Sequence, residues 1–406
     1  MGKGAVSVVV FVLGCVALGA PVHAGTQSGR RMAAQASRNK ERSALLATAL
    51  QHALESTLAA TPQFPGMLLH VDAPRLSFSW SGAAGLADRA TGRLLTPNDE
   101  VRIASVTKTF TAAAALRLVE RNQLSLDTPI TRYLPSTYAK LLVSGGYDPE
   151  RITVRQLLRQ TSGLADYADT DAFDDAVRAH PSHRWTRLEQ VRFALDHGKP
   201  VAAPGLVYHY SDTGYILLGE VIERVSRQTL AAAYHQTLRF RALGLDHTYL
   251  ETLEPEPANR PPRAHQYYAG LDLNQVDASF DLYGGGGLVS TMDDLSRFYR
   301  ALLRGHVFTR RSTLRKMLSI PATNVDDADD ASPGDGYGMG IYQLTAEGVV
   351  CWGHDGAWGT FAFHCPALDL TIAGSNNQGD IDIDERAFLV KIIRLIKASG
   401  KSQSRP

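Results

Sequence analysis

The chain has 406 residues, 44% of them hydrophobic and 20% charged, with a formal net charge of +1. This is a globular composition, long enough for one large domain or two lobes. The near-neutral charge excludes a global electrostatic pull toward nucleic acid or an anionic membrane, and the sequence holds no basic stripe and no zinc-type Cys/His spacing.

Residues 1–24 read as an export signal peptide. Lys3 supplies the charge, Val8 to Ala20 the apolar run, and Val22-His23-Ala24 a small-x-small cleavage site. Gly14, Gly19 and Pro21 break the run, which is too short to span a bilayer. No stable membrane span is therefore expected, and the protein is expected to be periplasmic or secreted. Val12-Leu13-Gly14-Cys15 makes a lipid anchor at Cys15 the alternative to soluble export. Cleavage would take Lys3 away and leave the mature chain neutral.

Gly25 to Arg42 is polar and poorly patterned, and reads as a disordered lead-in. Leu46, Leu50, Leu54 and Leu58 recur at helical spacing, so Glu41 to Ala59 reads as an amphipathic helix. Gly66 to Val71 and Leu76 to Trp80 read as strands, followed by a glycine- and turn-rich stretch from Ser81 to Thr96. The apolar run Thr111 to Val119, with alanines at 112–115, predicts a helix that starts near Ser105. Further helices are expected at Val154 to Arg159, around Leu188 to His197, at Thr213 to Val225 and at 229 to 249. The proline-rich stretch Leu253 to Arg263 reads as a linker or surface loop.

Gly284 to Gly287 precede Leu288-Val289-Ser290-Thr291 and a helix from Asp293 to Leu303. The order is not that of a phosphate loop, so these glycines read as a close backbone approach. Asp326 to Asp335 does not fit an EF-hand and reads as a solvated loop. Strands are expected at Tyr337 to Gln343, Gly348 to Gly353, Thr360 to His364 and Leu370 to Asn376, then a closing helix from Glu385 to Lys397.

The pattern is α+β. An antiparallel sheet built from both ends of the chain is flanked by N- and C-terminal helices, with a helical lobe inserted. The domain would run over 43–398, its α/β lobe over about 43–105 and 270–398 and its helical lobe over about 106–269, with a tail at 399–406. If the strands around 351 and 365 form a hairpin turning at Trp358, Cys351 and Cys365 face each other and a disulfide is expected.

Three stretches carry chemistry. Ser105 and Lys108 stand three apart at a helix start, so amine and hydroxyl share one helical face; a serine nucleophile needs that proximity and benefits from the helix dipole. The motif is short, and Ser37 to Lys40 repeats it. Tyr208-His209-Tyr210-Ser211-Asp212 sits in a turn before a helix. It is either a plain cap or a site where Tyr210, its acidity raised by a lysine, takes a proton. Gly353-His354-Asp355-Gly356-Ala357 is either a hairpin turn or a strand end that lets a substrate lie close.

In this order, the three stretches resemble the penicillin-recognising serine hydrolases: class C β-lactamases, D-alanyl-D-alanine carboxypeptidases and related secreted esterases and D-aminopeptidases. Ser105-x-x-Lys108 matches the first motif. Tyr210-Ser211-Asp212 resembles Tyr-x-Asn, and His354-Asp355-Gly356 resembles Lys-Thr-Gly or His-x-Gly. Ile152 to Leu158, Gln160 to Leu164 and Gly286 to Thr291 are similar to supporting segments.

The resemblance implies a β-lactamase-like fold and an acyl-enzyme on Ser105. Lys108 and Tyr210 would share the proton transfers. His354 would orient Tyr210 or a substrate carboxylate, and the N–H groups of Ser105 and Ala357 would form the oxyanion hole. Asp212 and Gly356 would lie against the substrate. No metal or organic cofactor and no nucleic acid is expected; the partner is a small-molecule or peptide substrate. The expected activity is carboxypeptidase-like or esterase-like, with a β-lactamase proper or a non-catalytic scaffold as alternatives. Two departures stand out: an ionised Asp212 cannot donate as asparagine does, and His354 in place of lysine predicts a charge change near pH 6–7.

Overall fold

The computed structural model describes residues 24–324, 334–381 and 384–401. The expected signal peptide therefore lies outside the described residues except for Ala24, as does the tail beyond 401. The acidic stretch from Asp326 lies outside them up to residue 333. The chain divides into two compact units, residues 1–45 and 46–406. In the first, residues 24–45 are helical. The stretch expected as a disordered lead-in belongs to helix α1, Ala24–Ala60. Its alanines, arginines and glutamine are strong helix formers, and that propensity outweighs the missing apolar period.

The second unit is built on an eight-stranded antiparallel sheet. Its strands are β1 Gly66–Ala73, β2 Phe78–Asp88, β3 Arg93–Leu94, β4 Gly336–Tyr337, β5 Tyr342–Ala346, β6 Val349–Gly356, β7 Thr360–Cys365 and β8 Leu370–Ser375. The order across the sheet is β3-β2-β1-β8-β7-β6-β5-β4, so the two ends of the chain meet at β1 and β8. Of the stretch Ser81 to Thr96, read as turns for its glycines, residues 81–88 are instead the second half of β2, while residues 89–92 do form a turn. Tyr337 to Gln343 is two strands rather than one, parted around Gly338 and Gly340.

Alternation along the strands sorts the core. Met67, Leu69 and Val71 of β1, with Phe361, Phe363 and Ile372, face Leu46, Leu50 and Leu54 and the closing helix's Leu389, Ile392 and Ile393. Leu68, Ala362 and Ala373 face the opposite way, into the larger core. There lie helices α2 Thr107–Glu120, α3 Asp171–Ala179, α4 Asp212–Ser226 and α5 Met292–Leu303. Each fully buried Leu, Ile or Phe contributes about 1.5–3 kcal/mol of transfer free energy. The two-sided sheet, with most helices between 107 and 243, is the α+β arrangement expected.

Hairpin β6–β7 pairs Trp352 with His364 and Gly356 with Thr360. That register sets Cys351 opposite Cys365, and the two form a buried disulfide with Cα atoms 4.1 Å apart.

Candidate active site

Ser105 stands at a corner. Val101–Arg102 pairs with Leu288–Ser290, Ile103 N–H donates to the Leu288 carbonyl at 2.9 Å, and Ala104–Val106 forms a 3₁₀ turn into α2. Ala104 holds φ 44°, a left-handed conformation that costs a residue with a Cβ. The strained turn leaves Ser105 half exposed, while Val106 and Lys108 are buried.

The end of β6 is seated against this turn. A Cβ on Gly356 would lie 2.5 Å from the Ile103 carbonyl oxygen and 3.2 Å from Ser105 N. The glycine at 356 thus serves the approach of the Ser105 backbone. Gln266, fully buried, ties the two sides: its amide donates to the carbonyls of Arg102 at 2.9 Å and Trp358 at 3.0 Å, and its oxygen accepts from Arg102 N–H at 2.8 Å. These anchors flank the N–H groups of Ser105 and Ala357.

Lys108 is fully buried. Its Nζ donates to Ser105 Oγ at 2.7 Å, to the Gly285 carbonyl at 3.1 Å and to Asp212 Oδ1. Three acceptors match the three protons of an ammonium. Asp212 is the first residue of α4, and Gly285 presses so close to it that a side chain at 285 would collide with its carboxylate. The four glycines thus bring backbone against the charged pair, as their spacing suggested.

Tyr210 lies 4.7 Å, ring centroid to Nζ, from the Lys108 ammonium. Its acidity contradicts expectation. Burial, with Asp212 and Tyr342 adding to it, pushes the phenol well above its ordinary value, and a hydrogen bond with Ser105 only partly offsets this. Tyr210 rests as a phenol.

His354 requires a second correction. Its ring is buried, with Nδ1 2.6 Å from the Asp355 carbonyl and Nε2 3.3 Å from Tyr337 Oη. Burial and the Lys108 charge hold its pKa down at about 3, so no charge change occurs near neutral pH. His354 does not line the cavities at Ser105; the neighbouring Asp355 does.

Two cavities meet at Ser105, and Ala168, Asp212 and Ala357 border both. One, about 120 Å³ and partly open to solvent, runs between apolar walls that include Phe173 and Trp358. The other is edged by Asp166, Asp169, Asp355, Tyr210 and Tyr342. Asp281, which accepts from Trp358 Nε1 at 2.6 Å, stands in the first. Burial, reinforced by Asp212, raises Asp166 to about 7 and Asp281 to about 6. The structure thus brings Ser105, Lys108, Tyr210, Asp212, Gly356 and Ala357 together and sets His354 behind them. Asp166 and Asp281, unforeseen, join them. Asp166 follows Gln160 to Leu164 by two residues, the one hint available; Asp281 had no signal.

With this geometry in view, comparison with known proteins gives concordant matches. The family profile described as Beta-lactamase matches residues 51–390. Esterase EstB of Burkholderia gladioli is 36% identical over 183 residues, 43% of this chain and 44% of that protein. Penicillin-binding protein 4* of Bacillus subtilis (strain 168) is 26% identical over 324 residues, 75% of this chain and 65% of that protein. The chain thus spans less than two thirds of either relative. The crystal structure of a D-stereospecific amidohydrolase from Streptomyces sp. aligns with TM-score 0.71 at 29% identity, covering 86% of this chain and 97% of that one.

Proposed function

The chain belongs to the β-lactamase family of serine hydrolases, and from that membership we propose that it is an exported esterase or amidase for substrates without a carboxylate. One observation carries the reading: the Ser105 cavities are edged by Asp166, Asp169, Asp212, Asp281 and Asp355, while the Lys108 ammonium faces inward to three protein acceptors. Carboxypeptidase and β-lactam substrates carry a carboxylate, which such a site repels. The esterase and amidohydrolase similarities support the same class. The disulfide supports export, since such bonds persist in oxidising compartments.

In this reading Ser105 Oγ attacks the carbonyl carbon. As Lys108 takes the Ser105 proton it passes one of its own to Asp212, so the net acceptor is the carboxylate. The N–H groups of Ser105 and Ala357 meet the negative oxygen. Tyr210, a phenol, donates its proton to the departing oxygen or nitrogen, and the proton on Asp212 returns to it through Lys108. Water then repeats the sequence on the acyl-enzyme.

Arg178 favours a second reading. It stands at the mouth of the first cavity, where its guanidinium donates to the Ala269 carbonyl at 2.9 Å, and it would suit a carboxylate-bearing peptide. A panel on one preparation separates the two: a p-nitrophenyl ester, a D-amino-acid amide, a D-Ala-D-Ala peptide and a chromogenic cephalosporin, with fluorophosphonate labelling followed by mass spectrometry. Labelling on Ser105 and kcat/KM highest for the ester or amide are expected. Faster turnover of the peptide or cephalosporin overturns the carboxylate-free reading.

A further inference from the structure

Resting on this hydrolase reading, we infer that the apolar arm of the cleft holds the acyl side of the substrate and selects a bulky apolar or aromatic acyl group. Ser105 sits where the two arms meet, so the two sides of a scissile bond at its Oγ must divide between them.

The arms differ in kind. The first is walled by Phe173, Val177, Tyr268, Leu271, Phe280 and Trp358. The polar tips of its rings are already engaged: Trp358 Nε1 donates to Asp281 at 2.6 Å and Tyr268 Oη to Asp174 at 2.7 Å. Tyr268 and Phe280 each pack with ring centroids 5.4 Å from Trp358. Between Arg178 at the mouth and Asp281 beside Trp358, what a ligand meets is mostly hydrocarbon, and a group that enters gains by leaving water. The second arm offers carboxylates and hydroxyls, and its rim at Ala168 and Asp169 is exposed.

The order of events assigns the sides. In an acyl-enzyme reaction the leaving group must depart, and water must enter, while the acyl group stays bonded to Ser105. The open polar arm serves that exchange. The more enclosed apolar arm is suited to the part that stays.

The test varies the acyl group alone. Turnover of p-nitrophenyl phenylacetate is compared with p-nitrophenyl acetate, and inhibition by benzylboronic acid with that by methylboronic acid, whose boron accepts the Ser105 oxygen without any leaving group. Each comparison is run on the native chain, on Val177→Trp and on Leu271→Trp. The native chain is expected to favour the phenylacetyl ester and the benzyl boronate by about tenfold or more. Both tryptophan variants should pull those ratios toward one. Val177 is buried, so its variant risks the fold; Leu271 is only half-buried and carries the test if Val177→Trp does not fold. Equal ratios in the native chain, or ratios unmoved by a folded tryptophan variant, overturn the inference. A boronate preference without ester turnover would sink the esterase reading while sustaining the apolar arm. Ester turnover without acyl preference would do the reverse.

Discussion

Replacing Asp212 by asparagine removes one charge and keeps the shape. In the native site Asp212 Oδ1 accepts from the Lys108 ammonium, which is fully buried and has Ser105 and Gly285 as its other acceptors. Deleting one partner of a buried ion pair costs about 3–5 kcal/mol when the other charge is left unpaired. One feature reduces that here: the asparagine oxygen still accepts, losing only the charge-assisted part of the bond. A loss of about 1–3 kcal/mol near neutral pH follows. The effect on rate is more diagnostic. With Asp212 as net proton acceptor, asparagine leaves the Ser105 proton without a carboxylate to end on, so kcat/KM for an ester should fall about 100-fold or more. The assay is kcat/KM for a p-nitrophenyl ester in both proteins, with fluorophosphonate labelling of Ser105 as a control for an intact site. A variant that keeps kcat/KM within a few-fold of the native value would refute the Lys108–Asp212 relay.

Gly356→Ala places a methyl group 2.5 Å from the Ile103 carbonyl oxygen, so the Ser105 turn must shift; kcat should fall about 100-fold while thermal unfolding shows a loss of about 1–3 kcal/mol. Gln266→Ala removes the amide that ties Arg102 to Trp358, and should lower kcat for an ester far more than it raises KM; a pure KM effect would show that the Ser105 and Ala357 N–H groups keep their places. NMR titration of ring protons should find His354 silent between about pH 5 and 8, and a native midpoint near 6.5 would overturn its assignment as a neutral, buried ring. Asp281 and Asp166, with pKa values raised to about 6 and about 7, stay protonated longer in the folded state than in the unfolded chain. Their stabilising contribution is therefore present at acid pH and declines as pH rises through that window, and kcat/KM for a penicillin relative to a neutral ester should decline with it; a flat ratio would show that neither carboxylate faces the substrate.

How much of this was legible depends on the range of the interaction. Ser105 and Lys108 are three residues apart on one helical path, so their contact needed only helix geometry. Cys351 and Cys365 needed only a hairpin centred at Trp358, and the register supplies it. Gly284 to Gly287 signalled a close approach without saying to what; the fold answers with Asp212 behind Gly285 and Asp281 behind Gly286. Asp166 is a single acid in a loop and Asp281 ends a 3₁₀ turn, and both are made part of the site only by tertiary packing around α4. The φ of Ala104 has no sequence signature, because alanine is not a left-handed residue; the turn is imposed by the strand pairing before it and the Gly356 backbone beside it. The expectations that failed for Tyr210 and His354 share one cause. Both assumed that a neighbouring charge would decide the titration, and in both burial comes first.

Asp212 and His354 look like separate departures along the sequence, yet electrostatically they are joined through Lys108. The Lys108 ammonium lowers His354, and Asp212 acts on the same ring in the opposite sense. A lysine at 354 would be a second buried cation in the field of the first, with one carboxylate between them. A histidine avoids that conflict by giving up its proton, and its Nδ1 and Nε2 are then held by the Asp355 carbonyl and Tyr337. Neutral His354 contributes no positive charge at the strand end, and Asp355, half exposed at the cavity edge, contributes a carboxylate there instead. The acid at 212 thus pairs with the Lys108 amine, while the residues around it line the cleft with further carboxyl groups. On the reading proposed above, a site so arranged would favour a scissile bond flanked by neutral or cationic groups, with the apolar arm beside Ser105 binding a part that requires no charge.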